Sequence, residues 1–309
     1  IRLLALLWAG RFVQGLGGAA LMVVPRAIIR DLTTGNEATR MMATIMLVFS
    51  VSPMLAPLAG SALLAFFDWR AIFLLLLVAA AASLFLLIYA QPETLPPSAR
   101  QRFHMGDTLR AARRLLGDRG FMSLTLLGAF GFSSFFVFLA SAAFVYTEHY
   151  GLTPTGFSLA FAANAMSFIG ASQLAGPLGA RLGAFRLMRL ATLGFAIFAC
   201  LTLAVAVMMP ISLAALIIGL ALGNACLGMI IPTAMVMALD DHGDIAGLAS
   251  SLGGTMQMLT GGVIVAVLGP FFSASPTPMI AAIAGCALVA LALSRLTRPS
   301  QAALASPAG

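Results

Sequence analysis

Long apolar stretches separated by short polar segments fill most of this chain. Nine stretches run about Leu4–Ile29, Met41–Phe66, Ala71–Tyr89, Phe121–Tyr146, Gly156–Leu178, Leu187–Met209, Ile211–Leu239, Ile245–Phe272 and Pro278–Ser294. Each is long enough to cross ~30 Å of hydrocarbon as an α-helix. In lipid the backbone must satisfy its own hydrogen bonds, so each stretch is predicted helical. A transmembrane barrel would show strands of about ten residues with alternating polarity, and no such segments occur. The sixth and seventh stretches meet at Met209-Pro210, which predicts a very tight turn.

The longest polar connection is 91–120. Pro92, Pro96 and Pro97 break helix at its start. From Asp107 to Leu116 a helical period returns, with Leu109, Ala112, Leu115 and Leu116 on one face and Arg110, Arg113 and Arg114 opposite. This predicts an interfacial helix on the inner leaflet, its arginines meeting anionic lipid. Three spans precede the connection and six follow it. Many transporters join two six-helix halves by such a linker. The predicted organisation is therefore the back part of an N-terminal six-helix bundle at 1–90, a linker at 91–120, a C-terminal six-helix bundle at 121–298 and a tail at 299–309. A weak repeat supports two related halves. Gly15, Gly17, Gly18, Pro25 and Asp31 in the first span parallel Gly219, Gly223, Gly228, Pro232 and Asp240 in the seventh.

Charge gives the orientation. Arg26, Arg30, Arg40, the linker arginines, Arg181, Arg186, Arg189, Arg295 and Arg298 all fall on one side. Arg2 and Arg70 fall on the other. The positive-inside rule makes the first side cytoplasmic, so the C-terminus is expected inside. Composition agrees with a membrane protein, because 61% of residues are hydrophobic and 9% charged, against roughly 25% charged in soluble domains.

The net charge of +7 lies in short loops between spans, which argues against nucleic acid as partner. The chain has no Lys, so a Walker A loop and a Schiff-base lysine are both excluded. Cys200, Cys226 and Cys286 lie within spans and read as buried thiols. His104, His149 and His242 are in loops, and the ten acids sit at span ends or in loops. That pattern opposes an intramembrane metalloprotease or a Ser–His protease. No enzyme activity, metal or cofactor is expected. The chain begins at Ile1 without a signal-peptide pattern and reads as a fragment.

A few residues in the spans could carry chemistry. Arg11 lies near the outer end of the first span, where it either lines a polar cavity or snorkels to the interface. Gly15 and its neighbours allow a close helix approach or a smooth cavity wall. Pro53 and Pro57 bend the second span, as a hinge or as a static kink, and Gly60 follows. Asn164, Asn224 and Gln257 are neutral amides at depth, and Phe135 and Phe136 belong to an aromatic cluster in the fourth span. Such a set suits bulky, moderately apolar ligands. Arg181 follows the small-residue end of the fifth span, as a cytoplasmic latch or as an ordinary positive loop.

Several motifs resemble the drug:proton antiporters of the major facilitator superfamily, in particular their Bcr/CflA, or bicyclomycin-resistance-like, type. Arg11 and Gly15 match the fourth-helix motif. Ala56-Pro57-Leu-Ala-Gly60-Ser61 is similar to the fifth-helix antiporter motif, with Pro57 and Gly60 kept and the flanking glycines replaced. Arg30-Asp31, Glu37-Ala-Thr-Arg40, Asp68-Trp69-Arg70, Glu93-Thr-Leu-Pro-Pro97, Phe144-Val-Tyr146-Thr-Glu148-His-Tyr150, Phe157-Ser-Leu-Ala-Phe161-Ala-Ala-Asn164 and Ala246-Gly-Leu-Ala-Ser follow in order.

The resemblance implies an all-α membrane protein of the major facilitator fold with nine of twelve transmembrane helices present, helices four to twelve. It implies a monomeric multidrug exporter of the bacterial inner membrane, exchanging apolar drugs for protons by alternating access. The alternative cargo is a metabolite such as an amino acid or sugar. It places Asp31 and Arg40 at the cytoplasmic gate, with Arg181 the candidate on the other half. The proton-coupling acid is expected in the first helix, outside this chain, and the fragment alone is expected not to transport.

Overall fold

The computed structural model describes residues 2–32, 59–94, 105–240 and 245–297, together with positions 41, 48, 52, 56 and 242. Pro53, Pro57 and Arg40 lie outside the described residues, as does the side chain of Asp31.

Regular structure among the described residues is helical. In chain order the helices are α1 (Arg2–Leu32), α2 (Arg70–Ala90), α3 (Met105–Gly117), α4 (Arg119–Phe144), α5 (Pro154–Leu182), α6 (Ala184–Met208), α7 (Leu213–Asp240), α8 (Ala246–Leu268) and α9 (Pro276–Leu296). A π-turn at Val145–His149 extends α4, and a 3-10 turn at Gly269–Phe271 extends α8. Residues 59–64 are helical before the chain turns into Asp68. Seven of the described helices are long and apolar enough to cross a membrane: α2, α4 and α5 to α9. The first predicted span is the continuous 31-residue α1.

Local chemistry fixes the ends. Asp118 caps α4, its Oδ1 accepting from the backbone N–H of Gly120 at 2.7 Å and of Phe121 at 3.0 Å. Thr153 caps α5, with Pro154 in the first turn where its missing N–H costs nothing. Gly183, at φ +84°, turns α5 into α6, a conformation that L side chains rarely adopt. The tight turn expected at Met209-Pro210 is there, since α6 ends at Met208 and α7 begins at Leu213.

The chain divides into two compact units. One comprises Ile1–Pro53 with Ala62–Phe103, the other Met54–Ser61 with His104–Gly309. The first holds α1 and α2. No residue of α2 is buried, and it is apolar on every side, a surface that lipid solvates without cost.

The second unit is a six-helix bundle with α3 against it. In it α5 packs on α7, α7 on α6, α9 on α4 and α6, and α4 on α7 and α8. Its core includes Leu127, Val137, Met188, Phe195, Leu216, Ile230 and Ile280. Glycines set the closest crossings. A Cβ at Gly228 of α7 would overlap the carbonyl oxygen of Phe168 in α5, and one at Gly219 would overlap Thr202 of α6. The outer faces carry exposed Leu139, Leu159, Leu190, Leu201, Ile218 and Val263. Buried hydroxyls bond their own helices. Ser133 Oγ donates to the Ala129 carbonyl at 2.7 Å, Ser141 Oγ to Val137 at 2.6 Å and Thr192 Oγ1 to Met188 at 2.7 Å. Apolar outside and buried Ser and Thr hydroxyls bonded to their own helices is the arrangement that lipid as solvent requires.

Candidate functional site

In the first unit, Arg11 lies on the exposed side of α1. Its guanidinium donates to Gln14 Oε1 at 2.9 Å, one helical turn on. It also sits 5.8 Å from the centre of the Phe73 ring of α2, within cation–π range. These contacts hold the cation at one height on the α1–α2 pair. A side chain added at Gly15 meets nothing within 4 Å, so the surface one turn below Arg11 is open. At the head of α2, Asp68 Oδ2 accepts from Arg70 at 2.7 Å while its Oδ1 accepts from the Trp69 N–H.

In the second unit, the structure brings Asn164 and Asn224 together. Asn224 Nδ2 on α7 donates to Asn164 Oδ1 on α5 at 3.2 Å. Asn164 Nδ2 in turn donates to the Ala160 carbonyl at 3.0 Å, and the residue is 2% exposed. The hydroxyl of Tyr146, in the π-turn after α4, is buried against Asn164 without a well-formed hydrogen bond. Three helical segments therefore share one largely buried polar cluster. Tyr146 adds a group that amide counting along the sequence missed.

Asn224 also borders a cavity of about 20 Å³ between α4, α6, α7 and α9, with Ser134, Phe138, Phe195 and Thr202 among its lining. That volume holds one water molecule. A drug-sized ligand needs a cleft of roughly 300 Å³ or more.

Gln257 and Phe136 sit elsewhere, along the seam of α4 and α8. A Cβ at Gly128 would lie 3.4 Å from Gln257 Nε2, and one at Gly261 would overlap the Phe136 ring. Phe132 stacks edge-on against Phe136 at 5.3 Å and tilts against Phe135 at 6.0 Å. Gly60 and Ser61 end the antiporter-like motif. Within the second unit Ser61 Oγ lies 2.8 Å from Ser158 Oγ of α5. Arg181 is exposed in the last turn of α5.

At the far ends of the bundle, two contacts were not legible in sequence. Tyr150 donates its hydroxyl to the Ile211 carbonyl at 2.8 Å, tying the end of α4 to the α6–α7 turn, and burial pushes its phenol above the ordinary value. His242, 4% exposed, has Nε2 at 3.4 Å from Asp118 Oδ2, tying the α7–α8 turn to the start of α4. No group of three or more His, Cys, Asp and Glu able to hold a metal occurs among the described residues.

Comparison with known proteins supplies the family. Residues 2–266 match the model of the Major Facilitator Superfamily. A Bacillus subtilis (strain 168) protein named "Uncharacterized MFS-type transporter YdgK" is 32% identical over 263 residues, 84% of this chain and 65% of its own length. A "Bicyclomycin resistance protein homolog" of Haemophilus influenzae is 27% identical over 281 residues, 91% of this chain and 70% of that protein. "Multidrug resistance protein D" of Escherichia coli (strain K12) is 26% identical over 270 residues, 85% and 66% respectively. The chain thus spans about two thirds of the length of these relatives. With seven described helices long and apolar enough to cross a membrane and a family match over most of its length, this multi-pass membrane chain belongs to the major facilitator superfamily of transporters.

Proposed function

We propose that the protein to which this chain belongs exports small, mostly apolar drugs across a bacterial inner membrane in exchange for protons. The observation that carries the reading is the alignment, over 85% and 91% of this chain, with relatives named for multidrug and bicyclomycin resistance. The side chains support it. Spans rich in Phe and neutral amides, without a charged cluster, favour a bulky apolar cargo over an amino acid or sugar, whose charges and hydroxyls call for convergent polar partners. In this reading the protein is of the Bcr/CflA type, this chain supplies helices four to twelve of twelve, and its C-terminus is cytoplasmic.

Arg11, held by Gln14 and Phe73, is the cavity cation in this reading. Gly15 keeps the wall beside it smooth. Asn164 and Asn224 offer amide contacts, while Gln257, Phe135 and Phe136 line the path. Pro53, Pro57 and Gly60 shape the bend of the second span. Asp31, Arg40 and Arg181 form the cytoplasmic gate. Protons are the coupling ion and a monomer is the working unit. Mutating Arg11 in the complete protein and measuring export tests the assignment most simply. Export unchanged by Arg11→Ala would remove Arg11 from the path.

A further inference from the structure

The linker helix α3 has an apolar surface that the bundle does not use. Its predicted apolar face divides in two. Leu115 is fully buried, and Thr108, Ala111 and Ala112 are partly buried, where α3 packs on α4 and α8. Met105, Leu109 and Leu116 remain 68%, 61% and 50% exposed. At about 100° per residue, these three fall within roughly 40° of arc on the helix, about 90° from the docked side. Arg113 comes next, roughly 60° from the centre of the stripe, and Arg110 and Arg114 lie further round, near the opposite pole. Arg110 is engaged with Asp107 of its own helix at 3.2 Å.

One helix thus presents three sides: one against protein, one apolar, one cationic. α3 packs beside the start of α4 and of α8, at one end of the membrane-spanning bundle. A helix there, docked on one side, has its next side at the level of the lipid headgroups. An apolar stripe flanked by a cation fits that layer and not bulk water, because the leucines insert while the guanidinium reaches the phosphates. We infer that α3 binds the anionic lipid surface at the arginine-rich end of the bundle, with Met105, Leu109 and Leu116 inserted and Arg113 as the residue that engages the phosphate. Charge complementarity selects anionic over zwitterionic headgroups, since polybasic segments are drawn to negative leaflets. Bound this way, lipid presses α3 onto α4 and α8 and fixes where the linker leaves the bundle.

The chain has two tryptophans, Trp8 and Trp69. In a Trp8→Phe, Trp69→Phe background, Leu109→Trp places a reporter on the stripe. Leu116→Trp is the second reporter should the first disturb folding. The full chain is placed in nanodiscs of brominated phosphatidylcholine with and without phosphatidylglycerol. The expected result is quenching of the reporter by brominated lipid, stronger with phosphatidylglycerol. Arg113→Gln removes that extra quenching and Arg114→Gln leaves most of it. Three results overturn the inference: an unquenched reporter with the red emission of water exposure, an unquenched reporter with blue emission, which means that protein covers the stripe, or quenching that ignores phosphatidylglycerol and Arg113.

Discussion

Replacing Gly228 by Ala probes how the bundle is held together. The added Cβ would overlap the backbone carbonyl oxygen of Phe168 and lie 3.1 Å from Ser172 N. Both neighbours are backbone, so no side-chain rotation relieves the contact, and α5 and α7 must separate. Overpacking of this kind costs about 1–3 kcal/mol. Ala also gains about 0.5–1 kcal/mol over Gly within a helix, which masks part of the cost. Gly170, also in α5, supplies the control, because a Cβ there meets nothing within 4 Å. The helix-propensity gain is common to both substitutions and cancels in their difference. Unfolding free energies of Gly228→Ala and Gly170→Ala, from SDS titration in mixed micelles, should therefore differ by about 1–3 kcal/mol, with Gly228→Ala the less stable. Separation also strains the Asn224–Asn164 bond one turn away, at 3.2 Å, so the upper half of that range is expected. Equal stabilities, within about 0.5 kcal/mol, would refute the claim that this glycine sets the α5–α7 crossing.

Three further outcomes follow from the same geometry. A double-mutant cycle of Asn164→Leu and Asn224→Leu should show a coupling of about 0.6 kcal/mol and at most about 1.7, the range of interhelical hydrogen bonds in membranes; zero coupling in the SDS titration would mean the two amides do not meet. Asp118→Ala should lose about 0.5–2 kcal/mol of stability with the α4 cap, while Asp118→Asn, an equally good cap, should retain it; equal losses would shift the cost to the His242 contact. Arg11→Ala in the complete protein should reduce drug efflux at unchanged expression, with Arg11→Lys recovering part of it, and full efflux from Arg11→Ala would contradict the assigned role.

Span existence and placement were legible because hydropathy reports one large free energy per residue, and lipid leaves the backbone few choices. Eight of the nine predicted spans agree with described helices to within a few residues, and the second is described only from 59 onward. Side-chain chemistry was less legible. Asn164 and Asn224 stood out as amides at depth, yet that they meet depends on the rotation of α5 and α7, which Gly228 sets and no single-helix pattern encodes. Leu115 and Leu116 fell on one predicted face, but one is buried and the other half exposed, because where α3 docks decides between adjacent positions. His242 was legible only as a loop residue, since its partner Asp118 lies more than 120 positions away.

The most direct test of the central claim is ethidium and drug efflux from a pump-deficient bacterium expressing the complete gene product, with and without a protonophore. Efflux and raised drug resistance that collapse when the proton gradient is removed are expected. A well-expressed protein that exports nothing across a broad drug panel, or whose efflux ignores the protonophore, would contradict that claim.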